Sequence, residues 1–84
     1  MTLRFIGVDP DTKSGGSPTV WVDEDTAEIV IQGWKINDAL RRRVEQNPAP
    51  DHAAGIPATE DVVRLPARMA PILKEACNAA IRLG

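Results

Sequence analysis

Residues 18–34 read PTVWVDEDTAEIVIQGW, and the alternation within them decides the fold. Two runs rich in Val, Ile and Trp, Pro18–Asp23 and Ala27–Trp34, flank the polar stretch Asp23-Glu24-Asp25-Thr26, which is a β-hairpin pattern. With Glu24-Asp25 at the turn centre, Val22 faces Ala27, Val20 faces Ile29 and Pro18 faces Ile31. Side chains alternate between faces along a strand, so Val20, Val22, Ala27, Ile29 and Ile31 share one face. Thr19, Trp21, Val30, Gln32 and Trp34 fall on the other. Both faces are partly apolar, and both need an explanation.

Working outward, Leu3–Val8 reads as a first strand. Residues 9–17, DPDTKSGGS, are dense in turn formers and predict an exposed loop. Beyond the hairpin, Asn37 or Asp38 is placed to cap a short helix carrying Ile36, Leu40 and Val44 on one side. Residues 47–57 hold three of the seven prolines together with Gly55 and predict an irregular connection. Glu60–Leu65 reads as a last strand, stopped by Pro66. From Ala70 or Pro71 onward the chain predicts a helix, because proline fits only its first turn. Its stripe is Met69, Ile72, Leu73, Ala76, Ala80 and Leu83, with Lys74 and Glu75 on the solvent side. The sum is one small α+β domain over residues 1–84: an antiparallel sheet of three or four strands against a C-terminal helix. That helix should bury Ile72, Leu73 and Ala76 against the Val20/Ile29/Ile31 face.

Composition narrows the function. With 84 residues, 43% hydrophobic and 26% charged, the chain is globular in composition, with only a thin core. Ten basic against 12 acidic residues give a net charge of −2, so no direct nucleic-acid binding is expected. The single Cys77 excludes an internal disulfide framework and a thiolate zinc cluster. No apolar run is long enough to span a bilayer, and the N-terminus does not read as a secretion signal, so a cytoplasmic protein is expected.

The motifs that imitate chemical sites fail on physical grounds. Gly7 to Ser14 resembles a phosphate-binding loop, but Gly15-Gly16-Ser17-Pro18 cannot start the helix that such a loop needs. Asp9 and Asp11 would also repel phosphate. Asp9-x-Asp11-x-Lys13 lacks the bidentate carboxylate that closes a calcium loop, and local capping by the aspartates is the simpler reading. His52 stands alone in the proline-rich connection. Cys77 reads as a small, partly buried packing residue rather than its catalytic partner. Arg41-Arg42-Arg43 sit on a helix where successive side chains diverge, so they read as solvated, with Glu45 for ion pairing.

Trp21 and Trp34 are different. Phe5 is the only other aromatic residue. One C-terminal helix covers one face of a sheet, which leaves both indoles and Val30 on the second. Trp21, Val30 and Trp34 are therefore the expected interaction residues, either meeting a twin subunit or closing a satellite core under the first strand or the proline-rich connection. No catalytic, cofactor-binding or metal residue is expected.

Two resemblances bear on function. FIGVDPDTKSGG is similar to the first strand of RuvC-type, ribonuclease-H-like nucleases, with Asp9 at the metal-binding aspartate and Asp11 replacing the glycine that follows. That resemblance covers about ten residues, and two-metal chemistry needs further carboxylates from distant strands. PTVWVDEDTAEIVIQGWK with VVRLPARMAPILKEAC resembles a group of small actinobacterial proteins with a Trp-containing hairpin, a V-V-R-x-P step and a C-terminal helix. More distantly the layout is similar to BldB-type developmental proteins, encoded beside XRE-type helix-turn-helix regulators. The match spans Ser17 to Ala80, and Trp21, Trp34, Arg64 and Pro66 carry it. It implies a non-enzymatic accessory protein in transcriptional or developmental regulation, dimeric, with a helix-turn-helix regulator as its partner. The alternative is a fragment-like relative of the RuvC-type nucleases. The BldB-like group has no established catalytic residues to carry over.

Overall fold

A computed structural model of the chain describes residues 2–12 and 16–84. Lys13, Ser14 and Gly15 of the expected 9–17 loop lie outside the described residues. The class is α+β. The chain divides into two compact units, residues 1–33 with 65–84, and residues 34–64.

The first unit is a three-stranded antiparallel sheet in the order β1-β2-β3, with a C-terminal helix packed on it. Its strands are β1 (Leu3–Val8), β2 (Thr19–Asp23) and β3 (Glu28–Gln32). The hairpin forms where alternation predicts it, but its register differs by two residues. Val22 pairs with Ile29, Val20 with Ile31 and Trp21 with Val30. Asp23 is the cause. Its Oδ1 accepts from the amides of Asp25 (3.0 Å) and Thr26 (3.2 Å), so the turn runs to Ala27 instead of closing on Glu24-Asp25. Ala27 leaves the strand and turns through the left-handed region at φ 59°. A shift of two preserves the side-chain faces, so Val20 and Val22 still share theirs with Ile29 and Ile31.

The core lies between β2 and the helix. Val20, Val22, Met69 and Ala76 are fully buried and Ala79 nearly so, with Ile6, Leu65, Ile72 and Leu73 packed around them. Pro66 ends the extended segment, a 3-10 turn over Ala67–Met69 follows, and the long helix runs Ala70–Leu83 with proline in its first turn, as the sequence predicts. The buried stripe continues from Ala76 to Ala79 rather than to Ala80. Leu83, expected at its end, is exposed, as are Ile29 and Ile31 at the sheet edge. Small residues bring helix and sheet close. A Cβ on Gly7 would sit 2.9 Å from Ile72 Cγ2, so glycine is what lets β1 pass beneath the helix. Cys77 is exposed, contrary to the packing role expected of it, because it falls on the far side of the Ala76–Ala79 stripe.

The second unit pairs β4 (Trp34–Lys35) with β5 (Val63–Arg64) antiparallel, with α1 (Asp38–Glu45) between them in sequence. The C-terminal helix, Ala70–Leu83, is α2. Residues 60–65, expected as a last strand, therefore do not add a fourth strand to the main sheet. Only Val63 and Arg64 are strand, and they belong to the second pair. Asn37, one of the two expected caps, closes the start of α1, its Oδ1 accepting from the Leu40 amide at 2.9 Å. Residues 47–57 form the irregular connection, with positive φ at Asp51 and Gly55.

Candidate functional site

The face of the three-stranded sheet opposite Val20 and Val22 is built by register. Phe5 pairs with Trp21 and Trp21 with Val30, so one row of large apolar side chains crosses all three strands. Leu3 stands in the row beside Asp23 and Glu28, and Val8 in the row beside Thr19 and Gln32. A register shift between Phe5 and Gly7 turns β1 so that Phe5 points away from the helix while Gly7 passes beneath it. Leu3 is 46% exposed, Phe5 58%, Val8 42% and Val30 37%; Trp21, at the centre, is half-buried.

Of the expected interaction residues, Trp21 and Val30 are direct cross-strand neighbours. Trp34 belongs to the second unit and not to the three-stranded sheet. β3 ends at Gln32, Gly33 interrupts the pattern, and Trp34 opens β4, where it pairs with Arg64. The Arg64 guanidinium lies 5.3 Å from the indole centre, a cation–π contact, and its Nε donates to the Lys35 carbonyl at 3.2 Å. Phe5 was missed because the bulge that aims it cannot be seen in LRFIGV.

The second feature missed from sequence is a buried carboxylate. Asp9 is 2% exposed and does cap its own loop, accepting from the Asp11 amide at 3.1 Å and the Thr12 hydroxyl. Arg68 then takes both of its oxygens in a fork, Nε to Oδ1 at 2.6 Å and Nη2 to Oδ2 at 2.7 Å. The Arg68 fork holds the Asp9 carboxyl well below the usual aspartate range; burial opposes this, and Thr12 and the Asp11 amide add to it. Arg68 is pushed upward by the same pair. The expected exposed loop thus starts at a buried residue that ties the end of β1 to the turn leading into α2. A metal at Asp9, as in the RuvC-type resemblance, would have to displace Arg68. Among the described residues, no group of three or more His, Cys, Asp or Glu is placed to hold a metal ion.

In the second unit, an open concavity of about 620 Å³ is bordered by Val44, Asn47, His52, Ile56 and Glu60. His52 Nδ1 lies 2.8 Å from the Pro50 carbonyl, so the ring is held by its own loop. Arg41, Arg42 and Arg43 are all exposed on α1, the last two in its final turn, where their charge suits the helix dipole. No helix among the described residues is long and apolar enough to cross a membrane. No family model, curated protein or solved structure matches the chain.

Proposed function

We propose that the chain is a non-enzymatic protein-interaction module, an accessory protein in transcriptional or developmental regulation that works as a cytoplasmic homodimer. Its docking surface is the Leu3/Phe5/Trp21/Val30 face, and a helix-turn-helix regulator is the partner. The observation that carries this reading is the Phe5–Trp21–Val30 row, left accessible while Val20 and Val22 on the opposite face of β2 are fully buried. Contiguous apolar surface of this kind marks interaction sites, and aromatic anchors supply most of the energy there. The regulatory role rests on the resemblance to the BldB-like group.

The test is a photocrosslinking residue, benzoylphenylalanine, placed at Phe5 in native cells, with Arg82 on α2 as the control position. A discrete adduct to a helix-turn-helix regulator from position 5, and none from position 82, supports the proposal. Absence of any adduct specific to position 5 overturns it. A nuclease would declare itself differently. Added magnesium or manganese would raise its melting temperature by mass action, and Asp9→Asn would abolish that rise.

A further inference from the structure

The two edges of the main sheet are built differently. β1 carries the devices that discourage strand addition: an exposed arginine, Arg4, and a bulge between Phe5 and Gly7 that breaks its register. β3 has neither. Its register with β2 is unbroken through all five residues, β2 is its sole strand neighbour among the described residues, and every one of its residues is exposed. Its sequence is Glu28-Ile29-Val30-Ile31-Gln32, with its only charge at one end. Ile29, Val30 and Ile31 are 39%, 37% and 41% exposed. An apolar, unguarded edge offers a row of backbone donors and acceptors whose natural complement is another strand.

The pattern of that edge selects its occupant. Read antiparallel against itself and centred on Val30, EIVIQ sets Val30 opposite Val30, Ile29 opposite Ile31, and Glu28 opposite Gln32. No like charges meet, and the terminal carboxylate faces an amide. Moving the centre to Ile29 or Ile31 sets Val30 against Glu28 or against Gln32, so the Val30 register is the one that matches all five positions. We infer that β3 is the homodimer interface, two copies pairing edge to edge about a two-fold axis through Val30. The two three-stranded sheets become one continuous sheet of six. An axis perpendicular to the sheet puts both α2 helices on one side. On the other side the two Phe5–Trp21–Val30 rows join end to end into one apolar strip. The edge therefore assembles a docking surface twice the length of the one each chain carries. The inference rests on the homodimer part of the proposed function and specifies where the copies join.

Two single-cysteine chains, Ile29→Cys and Ile31→Cys, each in a Cys77→Ser background, test it. Directly opposed residues of an antiparallel pair lie within disulfide reach, whereas identical positions are diagonal at about 7–8 Å, beyond it. On mild oxidation the mixture should give covalent dimer about fivefold or more above either chain alone. Wild-type amide exchange at β3 should slow as concentration rises through the micromolar range, while exchange at β1 does not change. Circular dichroism and melting of each variant establish that it folds. Dimeric wild type with no excess crosslinking in the mixture and concentration-independent β3 exchange overturns the edge and leaves the homodimer standing. Wild type that sediments as a monomer throughout overturns both.

Discussion

The two faces of one small sheet have opposite fates. The same five residues of β2 send Val20 and Val22 into a fully buried contact with Met69, Ala76 and Ala79, and send Trp21 into a row flanked by exposed Phe5 and Val30. Strand alternation produces both faces without distinguishing them. What separates them is the supply of helix: one α2, with a buried stripe of small residues, covers one side. The covered face should therefore carry folding stability, and the open face should carry association.

The largest effect belongs on the covered face. Met69→Ala removes a fully buried side chain and is expected to cost about 2–5 kcal/mol, a large part of the stability of an 84-residue chain. Urea denaturation measures it. Leu73→Ala should cost less, because Leu73 is only half-buried. Gly7→Val forces a side chain into Ile72 and should cost about 1–3 kcal/mol. In a double-mutant cycle with Ile72→Ala, which clears that space, part of the loss should be recovered.

The Asp9–Arg68 fork adds a dependence on pH. Its folded-state pKa is depressed below the ordinary value of 3.8, so its contribution is fully present above that value. The contribution is lost as pH falls below 3.8 toward the folded-state value. Asp9→Asn should lower the melting temperature at neutral pH and flatten the acid limb of the stability curve. An unchanged acid limb would show that the fork contributes nothing to folding. A smaller effect, of the opposite sign, is expected at the hairpin turn. Ala27→Gly relieves a left-handed alanine and should raise stability by about 0.5–1 kcal/mol, read as a shift in urea midpoint.

How far the sequence was legible follows from what each feature depends on. Short-range rules located α1 through Asn37 and the start of α2 through Pro66 and Pro71, and alternation separated Val20 and Val22 from Trp21. The hairpin register escaped because Asp23 holds two turn amides, a choice that nothing in DEDTA marks over the shorter turn. Trp34 escaped because Gly33 ends the alternation one residue before it, so an unbroken β-rich reading ran on into β4. The Asp9–Arg68 fork joins residues 59 apart in sequence, and no periodicity or spacing connects them. In the candidate site, Trp21 and Val30 were legible from alternation. Phe5 was not, because its direction depends on a bulge.

The division of labour between the faces is tested most directly by the urea denaturation of Phe5→Ser beside that of Met69→Ala. Phe5 is the most exposed member of the row, and its substitution should leave stability within about 0.5 kcal/mol of wild type while Met69→Ala loses several times more. A loss of about 2 kcal/mol or more for Phe5→Ser would mean that this face is core after all, and would contradict its assignment as a docking surface.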